Sequence, residues 1–284
     1  MKNLFILLLT ALASVSMMAE VSVSDKTVLL KLYTATDGAN WNTEWDLSSP
    51  VSTWYGVKLE GDKIVSINLS DNNLVGEIPN EIVTLTDLKE LNLHKNAISG
   101  VIPFNLECLK ELVILDLSFN KLTGTIPSSV GEVSNLVILQ LYMNRLSGEL
   151  PTQIGNLKHL ETLAVFSNEL EGEIPSSLYQ VSTLKTLLLS SNKFHGILSA
   201  DISNLKMLEN LSLFENQMEG QVPFDLEKLN NLKEMNISYN KFSGVISRKL
   251  AVLDTLNMTM LNDKGMAVLL NVVMDIERPL VSEE

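Results

Sequence analysis

The sequence predicts an α/β solenoid, in which successive coils of equal length stack on one another. Asparagine recurs every 24 residues without insertion, glycine follows it four positions later, and leucine or a similar apolar residue recurs in the same phase. A fixed period of this length is typical of solenoids, in which each repeat packs only on its neighbours. The eight asparagines are Asn72, Asn96, Asn120, Asn144, Asn168, Asn192, Asn216 and Asn240.

Each repeat contains a Leu-x-Leu segment, or a close apolar variant of it, before the asparagine. Alternation with a period of two is typical of a half-buried strand. The Asn, Gly and Pro that come next disfavour a continuing strand. Each repeat is therefore predicted to form one short strand followed by a turn.

The recurring asparagine lies where the apolar pattern would favour a hydrophobic residue. A buried backbone group without a partner in such a turn costs about 1–3 kcal/mol, and an asparagine side chain offers two donors and one acceptor. We predict that each amide bonds to its own loop and to that of the next repeat, so that the eight side chains stack as a ladder. This column is interpreted as structural.

Residues 112–133, LVILDLSFNKLTGTIPSSVGEV, resemble the plant-type leucine-rich repeat LxxLxxLxLxxNxLxGxIPxxLxxL almost position by position. The resemblance extends over about residues 64–261. It implies a leucine-rich repeat horseshoe or superhelix with a parallel concave sheet and turns or short helices on the convex side. Ser199 and Ser247 replace the proline of this motif, which predicts looser convex turns in the sixth and eighth repeats.

Three further segments complete the predicted organisation. Residues 1–19 have one lysine, an apolar run and then small residues, the pattern of a secretory signal peptide. Residues 20–63 are predicted to form an N-terminal cap, 64–255 eight repeats, and 256–284 a partial ninth repeat with a C-terminal cap. No later stretch has the length of a transmembrane helix. We therefore expect a protein secreted or held in the cell envelope, without a membrane span.

The caps are predicted in more detail from turn and helix signals. Residues 24–37 predict a helix that begins at Ser24 and presents an apolar face. A hairpin turning at Gly61–Asp62 follows, and a second, C-terminal hairpin turns at Asn-Asp-Lys-Gly, residues 262–265. The apolar face of the helix comprises Val28, Leu29, Leu32 and Tyr33.

All three tryptophans, Trp41, Trp45 and Trp54, lie in the predicted N-terminal cap. They suit either a carbohydrate platform or a seal on the open end of the first repeat, and the need of a solenoid for caps favours the seal. Residues 52–59 resemble the CxWxGVxC motif of plant-type caps, with both cysteines absent. Cys108 is the only cysteine of the chain, so no intrachain disulfide is available.

Catalytic and cofactor motifs are missing from the sequence. It contains no phosphate-binding glycine loop, GxSxG elbow, HExxH or calcium loop. His94, His159 and His195 occupy different columns of the repeat and are not expected to converge on a metal. The formal net charge of −13 argues against nucleic acid or anionic lipid as a partner. We predict a protein that is not an enzyme and uses no cofactor.

Outward strand positions become unusually apolar from the third to the seventh repeat, within a charged rim. Strands about 4.8 Å apart place these side chains next to each other, and apolar patches with polar rims are typical of interfaces. Ala164 belongs to the same run, whereas Phe119 and Tyr239 are interpreted as ordinary family residues that pack sideways. We predict that a protein or peptide binds this apolar strip, which comprises Val113, Ile114, Val137, Ile138, Tyr142, Met143, Phe166, Leu188 and Phe214.

Two functions from different classes are compatible with these observations. One is a recognition module for a protein or peptide, as in receptor ectodomains and polygalacturonase-inhibiting proteins of similar repeat type. The other is a surface adhesion protein that binds polysaccharide or ice along a repetitive face. The outward columns are heterogeneous, whereas ice and glycan platforms repeat one residue type, so the sequence favours the recognition module.

Overall fold

The structure is a computed structural model that describes residues 21–254, 256 and 258–273. The predicted signal peptide, residues 1–19, lies outside the described residues, as does the end of the predicted C-terminal cap, residues 274–284. Helix α1 spans Val23–Ala35 and helix α2 spans Arg248–Ala251. These two helices lie near the two ends of the described chain.

The described residues form twenty strands. In chain order they are β1 (Val57–Glu60), β2 (Lys63–Asn68), β3 (Val75–Glu77), β4 (Glu90–Asn92), β5 (Ala97–Ser99), β6 (Ile114–Asp116), β7 (Ile138–Gln140), β8 (Ser147–Glu149), β9 (Thr162–Ala164), β10 (Glu169–Gly172), β11 (Thr186–Leu188), β12 (Lys193–Ile197), β13 (Asn210–Ser212), β14 (Gln217–Gln221), β15 (Glu234–Asn236), β16 (Lys241–Ser243), β17 (Val245–Ser247), β18 (Thr259–Leu261), β19 (Ala267–Leu269) and β20 (Asn271–Val273).

Strand β1 of the N-terminal cap and one strand from each of the eight repeats form a nine-stranded sheet. Its order is β1-β2-β4-β6-β7-β9-β11-β13-β15. The hairpin of β1 and β2 is antiparallel, and the pairs that follow it are parallel. Each register is offset by one repeat, so that Leu115 pairs with Leu139 and Leu139 with Leu163. The predicted parallel sheet and the N-terminal hairpin are confirmed.

The chain returns between these strands through a lateral sheet and short convex helices. Strands β8, β10, β12, β14 and β16 form the lateral sheet. The convex segments are 3₁₀ helices, at Asn80–Thr84, Leu106–Cys108, Ser128–Glu132, Thr152–Asn156, Ser176–Gln180, Ala200–Asn204 and Phe224–Lys228. The core lies between these layers and is continuous from the N-terminal cap to the last repeat.

The two serines that replace proline do not loosen the convex turns. Ser199 has φ −64°, close to the −67° of Pro127, and its hydroxyl accepts the N–H of Asp201 at 3.1 Å. Ser247 accepts the N–H of Leu250 at 3.4 Å and begins α2. The expectation of looser turns was wrong because serine caps a helix through its hydroxyl where proline only fixes φ.

The asparagine ladder is present, but its direction differs from the prediction. The Asn144 side-chain oxygen accepts the N–H of Leu122 at 3.0 Å, and its amide nitrogen donates to the carbonyl oxygens of Leu117 and Leu141, both at 3.0 Å. The same pattern links Asn96, Asn120, Asn168, Asn192, Asn216 and Asn240 to the preceding repeat. The amide therefore reaches the preceding repeat, not the next, because the unpaired turn groups of each coil point toward the coil that follows.

A left-handed residue precedes each ladder asparagine. Met143, for example, has φ 53°, and its N–H donates to the carbonyl oxygen of Phe166 at 2.9 Å. This conformation costs a non-glycine residue about 1–2 kcal/mol, which the hydrogen bond from its N–H to the next repeat helps to offset. The eight residues are Asp71, Lys95, Phe119, Met143, Ser167, Ser191, Glu215 and Tyr239.

Helix α1 begins earlier than predicted. The N-cap is Ser22, whose hydroxyl accepts the N–H of Asp25 at 3.0 Å, so Ser24 lies inside the first turn. The helix also ends at Ala35, not at residue 37. The predicted start was wrong because residues 22 and 24 are both serines. Only Ser22 is followed, three residues later, by a backbone N–H that has no acceptor inside the helix. The predicted apolar residues Val28, Leu29 and Leu32 are buried, and Tyr33 packs against them partly buried.

The three tryptophans seal the N-terminal end of the core. Trp41, Trp45 and Trp54 are only 4, 3 and 3% exposed. Each indole N–H donates to a backbone carbonyl oxygen at 2.8–3.0 Å, and the rings of Trp45 and Trp54 stack at 4.7 Å. Because the rings are buried, they do not offer a carbohydrate platform.

The C-terminal hairpin of β18 and β19 is antiparallel, as predicted, and β20 pairs with β17. Asp254 closes the concave sheet next to this hairpin. Its carboxylate, 5% exposed, accepts the N–H groups of Ile237 at 2.9 Å and Leu256 at 2.8 Å. In the preceding repeat the equivalent N–H, from Leu213, bonds to the carbonyl oxygen of Asn236. The aspartate therefore replaces the carbonyl group of a further strand.

Candidate functional site

The nine residues of the apolar strip lie along five adjacent strands of the concave sheet, β6, β7, β9, β11 and β13. Ile114, Ile138 and Leu188 lie within strands, and Val113 and Val137 immediately precede them. Three aromatic residues, Tyr142, Phe166 and Phe214, lie two positions after the ends of β7, β9 and β13, and Met143 follows Tyr142.

The strip is accessible to a partner. Met143 is 42% exposed, and the other eight residues are half-buried. Ala164, which the sequence pattern places in the same run, is only 2% exposed, because its methyl group is too short to reach the surface formed by larger neighbours. The strip therefore continues past Ala164, but Ala164 itself contributes almost no accessible surface to it.

The position two residues after each concave strand forms a column across the sheet, which we call the post-strand column. Its members are Ser70, His94, Ser118, Tyr142, Phe166, Ser190, Phe214 and Ser238. Tyr142 and Phe166, in consecutive repeats, stack with ring centroids 4.4 Å apart and planes 7° apart. This distance is close to the spacing of neighbouring strands, so the register of the sheet brings the two rings face to face.

A polar cluster adjoins the N-terminal end of the strip. The His94 ring nitrogen Nδ1 lies 2.8 Å from Ser118 Oγ, and Ser118 Oγ donates to Asp116 Oδ1. The His94 ring also lies 6.0 Å from that of Tyr142. This is not the arrangement of a catalytic triad, in which histidine lies between the hydroxyl and the carboxylate. The Asp116 carboxylate instead accepts the Ser118 N–H at 3.0 Å in a local turn, and the cluster positions His94.

Two aromatic residues outside the predicted strip extend it. Phe119 lies 6.2 Å from His94, and Tyr239 makes a T-shaped contact with Phe214 at 5.3 Å. These sideways contacts fit the expected packing, and at 43% and 40% exposure both rings also remain accessible beside the strip. The sequence signal that identifies them is their position before the ladder asparagine, where the backbone is left-handed.

Lysines that border the apolar strip form ion pairs with carboxylates. Lys185 lies 2.8 Å from Glu161, and Lys233 lies 2.5 Å from Glu209. The hydrogen bond from Lys233 holds the pKa of Glu209 below its usual value. These pairs are exposed and contribute little to stability. Glu215 differs from Glu161 and Glu209, because it accepts a hydrogen bond from the Ser191 hydroxyl at 2.7 Å and has no lysine partner in the described part of the chain.

Within residues 21–254, 256 and 258–273, no three His, Cys, Asp or Glu side chains are placed to hold a metal ion. The three histidines, His94, His159 and His195, lie in different columns of the repeat. No helix in this part of the chain has both the length and the apolar character needed to cross a membrane.

Two leucine-rich repeat family models match the chain. One, described as a leucine-rich repeat, matches residues 62–122, and the other, a leucine-rich repeat region, matches residues 128–261. Among curated proteins, a probable leucine-rich repeat receptor-like protein kinase of Arabidopsis thaliana is 35% identical over 78 residues, which is 22% of this chain and 8% of the kinase.

Solved structures with a similar fold include PEPR1, a plant peptide hormone receptor and a plant ice-binding protein. PEPR1 in complex with AtPEP1 has a TM-score of 0.72 and 27% identity, over 88% of this chain and 42% of that one. The plant peptide hormone receptor RGFR1 in complex with RGF2 has a TM-score of 0.64 and 31% identity, over 72% and 32%. A plant ice-binding protein has a TM-score of 0.56 and 26% identity, over 80% and 89%. The chain thus spans less than half the length of the PEPR1 and RGFR1 chains.

Proposed function

The chain belongs to the plant-type leucine-rich repeat family, and we propose that it is an exported, non-catalytic recognition module that binds a protein or peptide through its concave apolar strip. The observation that supports this proposal most strongly is the stacked pair Tyr142 and Phe166, with further accessible apolar residues on both sides. Similar structures include the plant peptide hormone receptor RGFR1 in complex with RGF2, which favours the same use of the fold here.

The strip has the composition of an interface and not that of a core. Aromatic side chains dominate the binding energy at protein interfaces when a partner covers them. Tyr142, Phe166 and Phe214 are held by the strands that precede them, so little conformational entropy is lost when a partner binds. A peptide in extended conformation would cross the strands and contact several repeats at once.

The proposal is tested with a library of random linear peptides displayed on phage and selected on the immobilised protein. Peptides enriched on the wild-type protein should bind Phe166→Asp at least about thirtyfold more weakly, because a covered aromatic anchor contributes about 2 kcal/mol or more. Met143→Glu should also weaken binding, and it should fold because Glu215 occupies the equivalent left-handed position. The matched control is Glu171→Lys, an exposed residue of β10 on the lateral sheet, which should leave binding unchanged.

Thermal unfolding followed by circular dichroism separates loss of binding from loss of the fold. If the folded Phe166→Asp and Met143→Glu variants bind the enriched peptides as strongly as the wild type, the strip is not the binding site. Failure of selection to enrich any peptide would also count against recognition of peptides.

Ice binding is a second candidate, because the similar ice-binding protein is matched over 89% of its length. The outward positions of the lateral sheet do not repeat one residue type, since Ser147, Glu171, His195 and Glu219 occupy one column. We therefore expect no inhibition of ice recrystallisation at micromolar protein. Inhibition that persists in Phe166→Asp would favour ice over a peptide.

Export is the remaining part of the proposal. We expect a mature protein in the medium or the cell envelope that begins at Glu20, followed by the cap of residues 20–63, the repeats of 64–255 and the C-terminal cap of 256–284. N-terminal sequencing of the protein recovered from its native source tests this division at its first boundary. Recovery of a chain that still begins at Met1 would contradict cleavage.

A further inference from the structure

We propose that an open space at Ser190, between Phe166 and Phe214, receives the ring of a tyrosine or tryptophan from the bound peptide, with a lysine or arginine next to it facing Glu215. This inference rests on the proposed function and names the ligand chemistry of the same surface. We call this space the Ser190 notch; its walls are Phe166 and Phe214, and its floor is formed by Ser190 and Ser212.

The width of the notch follows from the repeat spacing. Rings in consecutive repeats of the post-strand column stack at 4.4 Å, as Tyr142 and Phe166 do. Phe166 and Phe214 are two repeats apart, with the small side chain of Ser190 between them, and no ring contact joins them among the described residues. The rings of His94 and Tyr142, which are also two repeats apart with Ser118 between them, have instead approached each other to 6.0 Å. Because Phe166 and Phe214 have not closed in this way, a spacing of about 4.8 Å per strand leaves room for one further ring between them. Among the described residues, the face of Phe166 turned away from Tyr142 has no aromatic neighbour.

The floor of the notch is polar although its walls are aromatic. The hydroxyl groups of Ser190 and Ser212 lie 2.6 Å apart, so one donates to the other and each keeps a free lone pair. Both residues are half-buried. A tyrosine hydroxyl or an indole N–H can donate to the remaining lone pairs of these oxygens, whereas phenylalanine or leucine would cover the lone pairs without using them. The notch therefore favours an aromatic side chain that carries a donor.

The charged side chains around the notch favour a basic residue in the bound peptide. Lys185 and Lys233 are each paired with a glutamate, at 2.8 and 2.5 Å. Glu215, which is exposed and follows Phe214 in the chain, has no lysine partner among the described residues. Glu234, in the next repeat, is also exposed and has no ion-pair partner among the described residues. A peptide with a basic residue beside its aromatic residue complements this arrangement.

The experiment fills the notch from within the protein. Ser190→Phe places a ring at the position that the ligand ring is proposed to occupy, and the Tyr142–Phe166 stack shows that this column accepts adjacent rings. The probe is the set of peptides enriched from the random phage-displayed library on the wild-type protein. We expect them to contain tyrosine or tryptophan next to lysine or arginine, and to bind Ser190→Phe at least about tenfold more weakly, because two ring contacts are lost.

Matched variants separate the filling of the notch from other effects. Ser190→Ala keeps the notch open and should bind within about threefold of the wild type, since it removes one neutral hydrogen bond. Phe214→Ser removes one wall with a residue that the same column carries in four repeats, and it should weaken binding even if Ser190→Phe does not fold. Glu215→Gln should weaken peptides that contain the basic residue and leave their alanine-substituted versions unchanged.

The outcomes distinguish this inference from the proposed function. If Phe166→Asp abolishes binding but Ser190→Phe and Phe214→Ser bind like the wild type, the concave strip is the site and the notch is not. If the enriched peptides lack aromatic residues, the notch is likewise overturned. If all of these variants bind normally, both the notch and the proposed concave site are wrong.

Discussion

Replacing Asn144 by leucine should destabilise the protein far more than the size of the side chain suggests. Asn144 accepts the N–H of Leu122 and donates to the carbonyl oxygens of Leu117 and Leu141. These three residues are 0–1% exposed, so water does not replace the lost bonds. At about 1–3 kcal/mol for each unsatisfied buried group, we expect Asn144→Leu to lower the free energy of unfolding by about 3–5 kcal/mol.

The same substitution at the N-terminal end of the ladder should cost less. Asn72 accepts the N–H of Thr43 at 2.7 Å and donates to its carbonyl oxygen at 3.2 Å, and Thr43 is exposed. Water can replace both bonds, so we expect Asn72→Leu to cost about 1–2 kcal/mol. Asn135→Leu is the control outside the ladder, because this exposed side chain makes one bond, to the carbonyl oxygen of Lys110. It should change stability by about 0.5 kcal/mol or less.

Urea denaturation followed by circular dichroism measures all three variants against the wild type. The order of destabilisation should be Asn144→Leu, then Asn72→Leu, then Asn135→Leu. Equal losses for Asn144→Leu and Asn72→Leu would refute the argument that burial of the turn groups makes the interior ladder positions essential.

Three further predictions concern stability. Reductant should leave the thermal unfolding midpoint unchanged, because Cys108 is the only cysteine and is exposed; a large decrease would reveal a disulfide between chains. Asp254→Ala should speed amide hydrogen exchange of Ile237 and the C-terminal hairpin, since it removes the acceptor that closes the sheet, and unchanged exchange would contradict that role. Burial raises the pKa of Tyr179 to about 12 from an ordinary 10.0. Its neutral form therefore contributes stability that is present below pH 10 and lost as the pH rises through 12, and an ultraviolet titration in which all five tyrosines ionise near pH 10 would contradict this.

The sequence predicted the parts of the fold that its period determines. The ladder, the parallel sheet and both terminal hairpins follow from residues that recur in a fixed register or form standard turns. The buried tryptophans follow from the need to cover the first repeat. These features depend on residue type and spacing, which a single sequence displays directly.

Other features depend on geometry that spacing does not show. Ser22 and Ser24 are equally good caps in the sequence, and only the position of the Asp25 N–H distinguishes them. The left-handed column contains lysine, phenylalanine, methionine and tyrosine as well as small residues, so its composition gives no signal. Asp254 closes the sheet from outside the repeat motif, where no periodic pattern identifies it.

The sequence predicted which side chains face outward from the concave strands, but not their mutual contacts. The outward columns follow from the register of the strands, and the nine residues of the strip are all accessible or half-buried. The loss of Ala164 from the surface and the ring contacts of Phe119 and Tyr239 depend on side-chain length and backbone turn. The Ser190 notch depends on the ring spacing of Tyr142 and Phe166, which the sequence alone does not show.

Photo-crosslinking tests the place of binding most directly. A peptide enriched on the wild-type protein is synthesised with its aromatic residue replaced by benzoylphenylalanine, irradiated in complex with the protein, and the linked residue is identified by mass spectrometry. We predict crosslinks to the concave surface between residues 137 and 215, concentrated on Phe166, Leu188 and Phe214. Crosslinks to the lateral strands β8, β10 and β12, or to the tryptophan-containing cap, would contradict recognition through the apolar strip.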